Sequence, residues 1–110
     1  MRETGAIWFC SGEDLDTHAY VTRWVEELVD EITVFRARGT LVARSSVCPH
    51  FAGPLAPDER RDRLRCAWHG WEFDLTTGAC LTHSLAGCVR PYRAVERDGR
   101  IEIETGDEDR

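Results

Sequence analysis

Cys48-Pro49-His50 and Cys66-Ala67-Trp68-His69-Gly70-Trp71 set a C-x-H and a C-x-x-H in two short segments, together supplying two thiolates and two imidazoles. Each segment brings one Cys and one His, so two clamps can close on a metal group from opposite sides. Thiolate with neutral imidazole suits a two-iron cluster in which one iron takes the sulfurs and the other the nitrogens, and it suits zinc as well. Structural zinc sites usually separate paired ligands by two or more residues and often carry the His pair on a helix. Cys48 and His50 have a single residue between them and no helix is evident around His69, which favours iron and leaves a Cys2His2 zinc module as the alternative. Pro49 stiffens the first clamp by fixing its backbone φ. Gly70 relieves crowding just after the second pair.

The elements that must hold these clamps read as mostly β. Segments 7–10, 19–25, 31–37, 40–44, 64–67, 71–73, 89–96 and 100–104 are short and rich in branched and aromatic residues, as strands require. Arg38-Gly39 and Asp98-Gly99 sit between alternating runs as hairpin connections, and Asp-Gly suits a type I′ turn. Over 22–30 a helical turn competes with a strand, because Trp24, Val25, Leu28 and Val29 recur at helix-like spacing. No internal repeat or low-complexity tract is present, and 105–110 reads as an acidic, frayed tail.

C-P-H at Cys48 to His50 and C-A-W-H-G-W-E-F-D at Cys66 to Asp74 resemble the Rieske-type [2Fe-2S] ferredoxin family. The likeness extends into Asp74-Leu75-Thr76-Thr77-Gly78, similar to the family's turn after the second loop, and into Pro91-Tyr92-Arg93-Ala94-Val95. Upstream, Thr33-Val34-Phe35-Arg36 with Gly39 and Val42-Ala43 is similar to the strand pair entering the first clamp, so the resemblance covers most of 31–104. It implies an all-β Rieske fold, an antiparallel β-sandwich with a smaller cluster-binding subdomain of two loops. It also implies one [2Fe-2S] cluster per chain, bound by Cys48, His50, Cys66 and His69. The chain would then be one Rieske domain over 1–110, with its cluster-binding part at about 46–75. Two departures stand out. The fifteen residues 51–65 between the clamps lack the family's glycine turn, and Ala52-Gly53 stands where glycine more often comes first, so the path of this connection does not follow from the family.

The function implied by the resemblance is one-electron transfer from a flavin-dependent ferredoxin reductase to a terminal oxygenase of the ring-hydroxylating dioxygenase type. Such a ferredoxin is not itself an enzyme. The small Rieske-like subunit of an assimilatory nitrite reductase, or of another reductase complex, is the alternative within the resemblance. A whole Rieske oxygenase is not expected: 110 residues leave little room for a second catalytic domain, and beyond the candidate cluster ligands only His18 and His83 remain, read as surface or loop histidines. Family members of high potential join the loops by a disulfide and donate hydroxyl hydrogen bonds after the second His. Here those places hold Gly53 and Trp68, then Trp71 and Phe73. With fewer donors to stabilise the added electron, the expected potential lies toward the low end of the roughly −150 to +300 mV Rieske range. Trp68, Trp71 and Phe73 are expected to pack around the loops and exclude water.

Charge and cysteine usage bound the setting. Twenty acids against fourteen bases, all of them Arg, leave a formal net charge of −6, which disfavours nucleic acid as a partner. Acids gather around residues 13–16, 26–31 and 102–109, while Arg60, Arg61, Arg63 and Arg65 crowd the connection between the clamps. Such mixed polarity suits a solvated surface or brief electrostatic docking of redox partners. No apolar run approaches a membrane span and the N-terminus opens no signal pattern, so the expected place is the cytoplasm. Cys10, Cys80 and Cys88 form no evident framework of pairs and read as small buried thiols.

Overall fold

A computed structural model describes residues 5–37, 39–48, 53–58, 63–68, 70–75, 77–82 and 88–105. Ten strands are described: β1 (Ala6–Ser11), β2 (Tyr20–Val25), β3 (Asp30–Ala37), β4 (Thr40–Ser45), β5 (Leu55–Asp58), β6 (Arg63–Cys66), β7 (Glu72–Asp74), β8 (Pro91–Tyr92), β9 (Ala94–Arg97) and β10 (Arg100–Glu104). They form three antiparallel sheets, in the orders β1-β10-β9, β2-β3-β4-β8 and β5-β6-β7.

The β2-β3-β4-β8 sheet is the middle layer, and the period-2 alternation of β3 explains why. Ile32 and Val34 point one way and pack with Phe9, Ala43, Ile101 and Ile103 in the first core. Phe35 and Ala37 point the other way, into a second core with Val42, Leu55, Leu64, Phe73, Leu75, Val89 and both clamp cysteines. Cross-strand pairing keeps the two sets apart, since Val34 stands opposite Ala43 and Phe35 opposite Val42. A strand buried on both faces loses the polar half of the alternation, and β3 is accordingly a nearly continuous run of buried residues.

The sequence-based elements recur, and three differences lie outside the connection between the clamps. The first is a six-residue helix, α1 (Gly12–Thr17), not anticipated from periodicity. A capping box starts it: the Ser11 hydroxyl accepts from Asp14 N–H at 2.9 Å, and the Asp14 carboxylate accepts from Ser11 N–H at 3.4 Å. The second lies in 22–30, where the strand runs through Val25 and only Glu26–Leu28 turns, as a single 3₁₀ turn. The third is that 89–96 is two strands rather than one. β8 pairs with β4 and β9 with β10, so the chain changes sheet at Arg93. The Asp98-Gly99 connection has φ of 52° and 76°, the left-handed pair that a type I′ hairpin requires.

The exposed edge of β1 is also tied down. Its register shifts between Trp8 and Cys10, and Arg23 on β2 donates to the Trp8 and Phe9 carbonyls at 3.2 and 3.1 Å. Those carbonyls thus gain a partner from the neighbouring sheet, which blunts the edge.

Candidate metal centre

Each clamp cysteine stands where a strand gives way to a loop. Beyond β4 the chain stays antiparallel to the stretch entering β5: Leu55 N–H donates to the Ser46 carbonyl at 2.8 Å, and Val47 bridges Pro54. The last rung is Cys48 N–H to the Gly53 carbonyl at 2.8 Å, closing the first loop at its base. The second loop repeats the device at the end of β6, where Cys66 N–H donates to the Trp71 carbonyl at 2.9 Å. Gly70 N–H returns to the Cys66 carbonyl at 2.9 Å, and Gly70 takes a φ of 71° that few side chains tolerate. In both loops the closing residue lies five positions after the cysteine. Ala67 N–H to the Pro54 carbonyl, at 2.9 Å, joins the two bases.

This arrangement brings Cys48 and Cys66, 1% and 0% exposed, into one core. None of the five cysteines is joined in a disulfide, so none competes for these sulfurs. The Cys66 sulfur faces the first loop closely: a Cβ at Gly53 would stand 2.8 Å from Sγ and 3.0 Å from the Trp68 ring. Only glycine fits between them. The sequence flagged Gly53 merely as an unusual turn, because the close approach of a sulfur from 13 positions downstream leaves no local signal. His50 and His69 lie outside the described residues, as do Pro49, His83, Arg60 and Arg61. Among the described residues no group of three or more His, Cys, Asp and Glu comes together.

Strand β5 is the other feature the sequence did not reveal. It pairs with β6, setting Leu55 opposite Cys66, so the Arg-rich connection between the clamps belongs to a hairpin whose arms are β5 and β6. Arg63 then pairs with Glu72 at 3.7 Å, and the Arg65 guanidinium lies beside Gly70 of the second loop.

Two side chains, Trp68 and Cys88, depart from expectation. Trp68 is 66% exposed; it covers Gly53 with one side of its ring and presents much of the rest to solvent. Phe73 is fully buried as expected, and Trp71 packs partly buried against the same core. Cys88 is exposed rather than buried, because it pairs with Ala79 in an isolated bridge while Cys80 packs against the core. Cys10 is buried as expected, and burial, reinforced by the Asp14 carboxylate, pushes its thiol above the ordinary range. Iodoacetamide is therefore expected to alkylate Cys88 well before Cys10 in the native chain. Peptide mass spectrometry reads the order, and equal rates at the two would contradict these burials.

Residues 6–93 match the family model described as the Rieske [2Fe-2S] domain. The chain belongs to this family. Domains of the Rieske family bind a [2Fe-2S] cluster and carry single electrons. The Rieske fold also appears in solved structures at low identity. The ferredoxin of carbazole 1,9a-dioxygenase from Nocardioides aromaticivorans IC177 is 22% identical at a TM-score of 0.73, the match covering 89% of this chain and 95% of that one. The Sphingomonas yanoikuyae B1 ferredoxin is 20% identical at a TM-score of 0.77, covering 92% and 99%. A putative NADH-dependent nitrite reductase small subunit from Mycobacterium tuberculosis is 21% identical at 0.70, covering 94% and 96%. No curated protein matches this chain in sequence.

The described half of the site fits a Rieske cluster on chemical grounds. Two buried, unbridged thiols are brought to one core by two loops of the same closure, and soft thiolate is the ligand that the sulfur-bound iron takes.

Proposed function

We propose that this Rieske domain is a one-electron carrier that takes electrons from a flavin-dependent ferredoxin reductase and passes them to a terminal oxygenase of the ring-hydroxylating type. Cys48 and Cys66 hold one iron of the [2Fe-2S] cluster, and His50 and His69 hold the other. The cluster supplies the one-electron redox chemistry. The protein's own contribution is to hold the ligands and to control access. The second core keeps the two sulfurs dry, and the backbone bonds at the loop bases hold the cysteines in place before the cluster arrives.

The observation that carries this reading is the matched pair of loops, each closed five residues after a buried cysteine that no disulfide engages. The choice of partner system draws on the solved ferredoxins of similar fold, among them an oxidised ferredoxin in complex with reduced carbazole 1,9a-dioxygenase oxygenase. The fold is also that of nitrite reductase small subunits, which makes the small subunit of such a reductase the second reading. In that group the ligands are often lost, whereas this chain keeps all four. The chain makes and breaks no substrate bonds itself, and it works in the cytoplasm. No described helix is long and apolar enough to cross a membrane.

Anaerobic reconstitution followed by electron paramagnetic resonance tests the cofactor, and stopped-flow mixing tests the role. The oxidised protein is expected to be reduced by a flavin reductase with NAD(P)H, to show in that reduced form the low average g-value of a Rieske centre, and to be reoxidised by a terminal oxygenase. A colourless, redox-silent product with bound zinc would overturn the reading. Reoxidation only by a nitrite reductase large subunit would decide for the second.

A further inference from the structure

Behind the first clamp lies a buried polar chain that the cluster chemistry does not by itself require. The Asp30 carboxylate, on a residue only 9% exposed, accepts three hydrogen bonds. They come from Glu31 N–H at 2.8 Å, the Ser45 hydroxyl at 3.1 Å and the Tyr92 hydroxyl at 2.7 Å. Ser45, 5% exposed, spends its remaining capacity on the clamp, its oxygen accepting from Val47 N–H at 3.2 Å. Val47 is the residue before Cys48. The neighbouring rung has the same design, with Ser46 N–H donating to the Glu31 carbonyl and the Ser46 hydroxyl to the Glu31 carboxylate at 2.8 and 3.2 Å.

A buried carboxylate costs stability unless it is fully satisfied, and hydrogen bonds to a charged group are about twice as strong as neutral ones. Asp30 is therefore a rigid anchor. Burial first, and the Asp30 carboxylate as well, push the Tyr92 phenol above its usual value against the opposing pull of Arg90, so its hydroxyl stays protonated and donates. Arg90, with Nη1 3.4 Å from the Tyr92 oxygen, is the cation next in line and offsets part of the charge. Asp30 reaches Cys48 through the Ser45 hydroxyl and the Val47 backbone, and a negative charge held close to a cluster disfavours an added electron.

We infer that Asp30 is a positioning residue for the first clamp, acting through Ser45 on the Val47–Cys48 backbone, and that its charge holds the potential of the cluster down. The inference rests on the proposal that Cys48 is a cluster ligand.

Two substitutions separate position from charge. Asp30→Asn keeps an oxygen that can accept from Ser45 and Glu31 and removes the charge. It is expected to load the cluster with wild-type g-values and to shift the midpoint potential upward, giving severalfold more reduced protein at a fixed solution potential. Ser45→Ala keeps the charge and cuts the link to Val47 N–H. It is expected to speed hydrogen exchange at residues 47–48 in the full-length chain and to change the g-values of the loaded protein. A wild-type potential in Asp30→Asn would overturn the role of the charge, and wild-type exchange and g-values in Ser45→Ala would overturn the positioning. Should Asp30→Asn fail to fold, the Ser45→Ala measurements still decide whether the clamp is held this way. A wild-type sample that yields no Rieske signal, with Ser45→Ala nonetheless speeding exchange at 47–48, would sink the proposed function while supporting the anchor.

Discussion

Replacing His69 with cysteine is expected to lower the midpoint potential by on the order of 100 mV, part of the roughly 250 mV that separates the low end of the Rieske range from an all-cysteine cluster. Neutral imidazole on one iron is what lifts a Rieske centre to between about −150 and +300 mV, whereas all-cysteine plant-type clusters lie near about −400 mV. A thiolate in place of the imidazole adds one negative charge to the cluster, and the reduced state, already more negative, is destabilised further. The second loop should accept the change, because its closure rests on the backbone groups of Cys66, Gly70 and Trp71 rather than on the side chain at 69. Spectroelectrochemical titration monitored by electron paramagnetic resonance measures both consequences, the lowered potential and g-values that leave the Rieske pattern. His50→Cys carries the same expectation for the first loop. If the potential and the g-values both stay where they were, the substituted histidine is not a ligand.

The largest loss of stability is expected from Phe73→Ala. Phe73 is 0% exposed and packs in the core that also holds Cys48 and Cys66. Truncating a buried Phe costs about 3–5 kcal/mol, through lost burial and the cavity left behind. Set against a total of about 5–15 kcal/mol for a domain, this leaves a marginal fold. The same cavity would lie beside the sulfurs, so cluster retention should fall along with stability. Urea denaturation compared with the wild type gives the number, and iron content after desalting gives the retention. Trp68→Ala, at a position 66% exposed, serves as the contrast and should change stability little. A loss below about 1.5 kcal/mol at Phe73 would mean the core repacks around the gap, contrary to the burial described here.

Most of the strands and the Cys and His spacings were legible because both are local patterns. Alternation over six or eight residues marks a strand whatever it pairs with, and C-x-H or C-x-x-H fixes its ligand types within one turn of chain. α1 went unread: Ser11 and Asp14 stand at capping-box spacing, but periodicity over so short a helix is too weak to show it. Trp68 and Phe73 mark the limit of this kind of reading. Both are aromatics of one short segment, yet one is exposed and the other sealed, and nothing in residue type separates them.

By itself the sequence determined the all-β class, the acidic balance and the Cys and His spacings from which a ligand set is proposed, since each depends on residue identity or short spacing. Only the tertiary structure decided that β3 and β4 divide their side chains between two cores, and that β5 backs the second clamp. It also decided that Gly53 stands against Cys66, and that Asp30 meets Tyr92 across 62 positions of chain. These outcomes depend on which distant strands pair and in which register. Register is set by the joint burial of many side chains, and no single segment of sequence contains that information.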